Sequence, residues 1–110
     1  MLKFEGYIIY NPATNLYSRG GAYESGLWGK RPKFWIGMGP LKSHISMIIV
    51  STNYSLKEIK VYGYYRNCQV IDAKTQSPVP NFDIYGYVST YIERRCTYEL
   101  KNNFKIVELP

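Results

Sequence analysis

A chain of 110 residues, 45% of them apolar, holds material for one core and is too short to divide into two stable halves. Fourteen Lys and Arg against eight Asp and Glu leave a net charge of +6, which steers encounter toward acidic partners and polyanions. One His and two Cys rule out a structural zinc site, which takes four such ligands, and no apolar run approaches the roughly 20 residues that cross a bilayer.

The expectation is a single domain over 1–110, of α+β class, built on a small, mostly antiparallel sheet. Gly6 to Tyr10 reads as a strand, and the turn-forming stretch Asn11 to Asn15 leads into a second short strand at Leu16 to Arg19, together a hairpin. Gly20, Gly21, Gly26 and Gly29 then punctuate a stretch without regular period, read as one long loop to Pro32, after which Lys33 to Ile36 resumes as a strand. One clear helix is expected over about 40–50. Pro40 suits a first helical turn, and Leu41, Ile45, Ile48 and Ile49 fall on one face. The β-branched run Ile48, Ile49, Val50 predicts fraying near 51–53.

Ile59 to Tyr65 alternates and reads as a strand, followed after Arg66 and Asn67 by a second extended run, Cys68 to Ala73. Ser77 to Asn81, with two prolines, reads as a loop, and Phe82 to Val88 as extended or loosely ordered. The end of the chain carries two patterns. Thr90 and Glu93 have capping-box spacing, and Ile92, Cys96 and Leu100 repeat every four residues, which favours a second helix over about 90–101. The same residues also alternate, and with Asn102 and Asn103 as a turn they would form a hairpin with Phe104 to Leu109.

Twelve Tyr, four Phe and two Trp give 16% aromatic residues, a composition suited to half-buried sheet faces and to recognition surfaces. Residues 1–55 contain six basic and two acidic side chains, whereas 56–110 contain eight and six, so the amino-terminal half is the more cationic. Within it, Trp28, Lys30, Arg31, Lys33 and Trp35 interleave cations with rings, the combination that neutralises phosphate and stacks on unpaired bases, and that also dominates protein hot spots. These five residues, with Lys42 and His44 on the following helix, form the candidate partner-binding set. The competing reading is a solvated loop whose rings enter the core.

No catalytic, cofactor-binding or metal-binding constellation is visible. His44 is expected beside the apolar helix face as a partly buried packing residue, and general-base or cysteine-activating chemistry would require a nucleophile within reach of it. Cys68 and Cys96 read as free thiols of a reducing cytoplasm, since no leader-like segment precedes them, with an intramolecular disulfide between the two as the alternative. The glycines match no phosphate-cradling loop. Gly6 to Asn11 has a faint likeness to the opening of the GIY-YIG nucleases, but the helix that follows lacks the Arg and the metal-binding Glu of that family.

Tyr10-Asn11, Thr14, Leu16-Tyr17-Ser18, Gly20-Gly21, Trp28, Lys33-Phe34-Trp35, Gly39, Leu41-Lys42, His44-Ile45, Tyr65, Asn67-Cys68 and Val70-Ile71 form a series. It resembles a pattern found in a group of small accessory proteins of tailed bacteriophages. The likeness covers roughly residues 7–71 and carries over no functional residue. It implies a non-structural protein made in the cytoplasm of an infected bacterium. The leading expectation is therefore stoichiometric binding of a host or defence-system protein, as counter-defence or host takeover, without a membrane role. The alternative is a nucleic-acid-binding module that uses the basic loop and helix. A third class is a small enzyme, or a protein that sequesters an anionic nucleotide.

Overall fold

The computed structural model describes residues 5–21, 26–98 and 103–110. Strand β1 (Tyr7–Asn11) turns back into β2 (Leu16–Ser18), and the two pair antiparallel with Tyr10 opposite Tyr17. Asn15 closes the turn at a φ of 59°, a left-handed conformation that Asn tolerates, while Asn11 Oδ1 accepts the Ala13 N–H at 3.0 Å. Beyond β2 lies β3 (Trp28–Gly29), and on the other side of β1 lie β6 (Gln69–Asp72) and β7 (Ser77–Pro78). The resulting sheet has the order β3-β2-β1-β6-β7, every pair antiparallel.

Helix α1 (Met38–Ile49) starts at Gly37, which caps it without a side-chain bond, and buries Leu41, His44, Ile45, Ile48 and Ile49. It runs directly into β4 (Val50–Asn53), antiparallel to β5 (Glu58–Tyr62), which in turn pairs in parallel with β8 (Lys105–Leu109). Helix α2 (Ile84–Tyr98) begins after Asp83, whose carboxylate accepts the Gly86 N–H at 2.6 Å and satisfies one of the donors a helix start leaves unpaired. Ile9 of β1, Ile45 of α1, Ile59 of β5 and Val88 of α2 are buried in one hydrophobic cluster, so both sheets and both helices contribute to the same core.

The α+β class and the mostly antiparallel character of the larger sheet match the sequence expectation. Several local readings are corrected. The glycine-rich stretch is not loop throughout, because Trp28 and Gly29 form β3. Lys33 to Ile36 is not a strand. It fills a wedge where β1 and β2 diverge: Lys33 N–H donates to the Ser18 carbonyl at 3.0 Å, and Trp35 exchanges two bonds with Tyr7. The β-branched residues after Ile48 do not fray; from Val50 they enter β4, since the branching that disfavours helix favours strand.

Phe82 to Val88 is not extended beyond Asp83, because α2 starts at Ile84, ahead of the Thr90–Glu93 spacing that suggested its beginning. Thr90 lies inside the helix, its hydroxyl donating back to the Gly86 carbonyl at 3.1 Å. The carboxy-terminal hairpin is excluded by the helix running to Tyr98 and by β8 pairing in parallel with β5. The last residues of the expected 90–101 helix, 99–101, lie outside the described residues, as does the side chain of Cys96.

Candidate functional site

Three polar side chains meet in the interior. Ser18 comes from the end of β2, His44 from the buried face of α1, and Tyr65 from the turn after β5. The Tyr65 hydroxyl lies 2.7 Å from Ser18 Oγ and 2.6 Å from His44 Nε2, and Ser18 Oγ also accepts the Gly20 N–H at 3.2 Å. Ser18 and Tyr65 are fully enclosed and His44 is 8% exposed. One arrangement uses each hydrogen once: Gly20 N–H to Ser18, Ser18 O–H to Tyr65, Tyr65 O–H to a neutral His44 Nε2. Burial holds the His44 pKa below its ordinary value, with the Lys33 charge adding to the effect, and burial pushes the Tyr65 pKa up. Both shifts keep the neutral forms that this chain of bonds requires.

The aromatic rings of the expected contact segment close over this centre. Trp35 is 5% exposed and lies against the His44 ring at 4.8 Å, and Trp28 meets Tyr65 edge to face at 5.8 Å. Lys33 extends over the Trp35 ring, its ammonium 5.8 Å from the centroid. Four members of the expected set, Trp28, Lys33, Trp35 and His44, are thus gathered around one enclosed centre, with only Lys33 exposed. His44 is not beside the buried face of α1 but part of it. Lys30 and Arg31 are exposed just beyond β3. Lys42 lies elsewhere, over the Phe82 and Tyr87 rings at 5.7 Å each, in a groove between α1 and α2 that Arg94 also lines. The set does not form one accessible patch.

Sequence reasoning passed over Ser18 and Tyr65 as functional candidates, although both belong to the series quoted for the bacteriophage resemblance. Ser18, Gly20, Lys33, Trp35, His44 and Tyr65 all come from that series and all converge on this centre. The centre ties β2, α1 and the turn after β5 together through packing and hydrogen bonds in the interior. Cys68, the nearest thiol in sequence, is free and half-buried, its pKa pushed up to about 12 by burial, so it is a thiol rather than a nucleophilic thiolate at neutral pH.

The opposite face of the five-stranded sheet is open. Because side chains alternate along a strand, burying Ile9 turns Ile8 and Tyr10 outward. Register then aligns Gly29, Tyr17, Tyr10 and Gln69 in one row across four strands, and Ile8, Ile71 and Pro78 in another. With Phe34, the side chains of these two rows other than Gly29 line a groove of about 570 Å³. The Tyr10 and Tyr17 rings sit 5.1 Å apart at 43°, and the Tyr10 hydroxyl donates to Asn15 Oδ1 at 2.6 Å, which fixes its ring. Arg19 lies flat over the Cα of Gly29: a β-carbon there would fall 2.6 Å from the Arg19 Cδ, so glycine is what lets the arginine lie across the sheet beside Tyr17. Among the described residues, none that lines the groove is acidic.

Among the described residues, no group of three His, Cys, Asp or Glu side chains is placed to hold a metal ion, and no helix is long and apolar enough to cross a membrane. No protein-family model, no curated protein and no solved structure matches this chain.

Proposed function

We propose that this protein acts by stoichiometric binding, as a bacteriophage accessory protein that counters a host defence or redirects host machinery, and that the outer face of the five-stranded sheet is its contact surface. The observation that carries the contact surface is the groove on that face, lined by Tyr10, Tyr17 and Phe34, with the Tyr10 ring fixed by its bond to Asn15 and Arg19 packed over Gly29 of the neighbouring strand. Rings fixed before contact lose little conformational freedom on binding, which is why Tyr and Arg concentrate binding energy at recognition surfaces. The bacteriophage setting is supported by the series of residues from Tyr10 to Ile71 described above. That setting makes the cytoplasm of an infected bacterium the place of action and a host macromolecule the partner.

The test is affinity capture from bacterial lysate, with proteins and nucleic acids of the eluate both identified. Wild type is expected to retain a partner in amounts comparable to its own, and Tyr17→Ala is expected to lose it while keeping a native far-UV spectrum. Recovery of background species alone, or retention that Tyr17→Ala leaves unchanged, sinks the reading.

A further inference from the structure

The character of the outer face narrows the class of partner. It presents three rings along one groove, Tyr10 and Tyr17 from the antiparallel sheet and Phe34, 38% exposed, from the segment beside it. Gln69 and Gln76 line the same groove, and each amide carries both donors and an acceptor. Along the β3 edge lie three cations: Arg19 crosses the sheet at Gly29, and Lys30 and Arg31 are exposed at the strand's end. Among the described residues the groove lining contains no carboxylate, and the chain as a whole carries +6. A partner that fits must supply flat apolar groups and negative charge together, with no need of basic residues.

We infer that the outer sheet face binds single-stranded nucleic acid, with bases stacked on Tyr10, Tyr17 and Phe34 and the phosphate backbone running along Arg19, Lys30 and Arg31. This deepens the reading above and rests on it. Stacking requires exposed base faces, which a duplex hides, so the preference is for single strands. A protein partner would have to combine an acidic edge with an aromatic-accepting strip. A single strand has both by its constitution. Stacking tolerates any base, so the face binds with weak sequence preference, and its affinity falls as salt rises because each neutralised phosphate releases counterion. A protein that covers a single strand in this way withholds it from the enzymes that would act on it.

The experiment is fluorescence anisotropy with labelled oligothymidine and oligouridine of about 12 nucleotides, and a duplex of equal length, at about 50 mM salt. The single strands are expected to bind at least about tenfold more tightly than the duplex. Tyr17→Ala and Phe34→Leu, the latter keeping apolar bulk without the ring, are each expected to weaken binding by about fivefold or more. Arg19→Gln is expected to lower the slope of log affinity against log salt by about 0.7. Lys57→Gln, in the turn between β4 and β5, should change nothing of this. Absence of binding at low salt overturns the inference, as does equal affinity for the duplex or indifference to both ring substitutions. If the oligonucleotides fail while lysate capture yields a protein in a Tyr17-dependent manner, the nucleic-acid inference falls and the sheet-face reading stands. If capture also loses its dependence on Tyr17, both fall.

Discussion

At the level of single residues, the Tyr65 hydroxyl carries more than its size suggests, because it serves Ser18 and His44 at once in a place water does not reach. Tyr65→Phe keeps the ring in its edge contact with Trp28 but leaves both partners short of a bond, and the expected cost is about 1–3 kcal/mol, measured by urea unfolding. His44 adds a pH dependence. Its folded-state pKa is lowered, so as pH falls below about 6.5 the unfolded chain takes up the proton first. Its contribution is therefore complete above that pH and is lost as pH falls toward the lowered value. His44→Gln, which can still accept from Tyr65 and does not titrate, is expected to flatten the dependence of Tm on pH between about 6.5 and 5, a window above most carboxylate titration. An unchanged slope in the variant would show that other groups set the acid response. Tyr65 contributes the opposite sign on the alkaline side, where ionisation of the unfolded chain above about pH 10 draws stability away.

Two junctions decide how the elements are placed. Asp83 holds the start of α2, and Asp83→Ala is expected to cost about 1 kcal/mol, read as a lower urea midpoint with an unchanged m-value. At the wedge between β1 and β2, Gly6 has a φ of 129°, and a β-carbon there would fall 2.6 Å from the Trp35 carbonyl oxygen. Gly6→Ala therefore strains the backbone and pushes against a carbonyl that bonds Tyr7. Its expected effect is destabilisation of more than about 1 kcal/mol together with a change in near-UV Trp signal, since Trp35 must move. A neutral substitution would mean that the 33–35 segment shifts freely, and the closed centre described above would then not be rigid.

Over the whole molecule, the two faces of the five-stranded sheet divide the aromatic residues between two tasks. The inner face draws Trp28 and Trp35 toward Tyr65 and His44, while the outer face leaves Tyr10, Tyr17 and Phe34 lining an open groove. A stability experiment and a binding experiment should therefore separate cleanly. Tyr17→Ala is expected to leave the unfolding midpoint near that of wild type, within about 0.5 kcal/mol, while abolishing partner capture. Leu41→Ala, fully buried on α1, is expected to cost about 2–5 kcal/mol without touching the outer face. A loss of stability in Tyr17→Ala as large as in Leu41→Ala would make the groove a packing feature rather than a contact surface.

Much of this architecture was written in local pattern. The spacing of Leu41, Ile45, Ile48 and Ile49 placed α1, the turn residues Asn11 to Asn15 placed the first hairpin, and the mix of alternating and helical patterns set the α+β class, because periodicity and turn chemistry act within a few residues. Other features depended on partners far along the chain. Lys33 to Ile36 read as a strand, but became a wedge because Ser18 and Tyr7 supplied the bonds of Lys33 and Trp35. Ser51 to Asn53 read as the frayed end of a helix, but became part of a strand because β5 lay beside them. The site followed the same rule. Sequence singled out rings and cations from Trp28 to Trp35 by proximity along the chain. Which ring is enclosed and which is open depends on the face of the sheet it occupies, and that is decided by pairings such as Tyr10 with Tyr17 and by a hydroxyl at Tyr65 that reaches 47 residues back to Ser18.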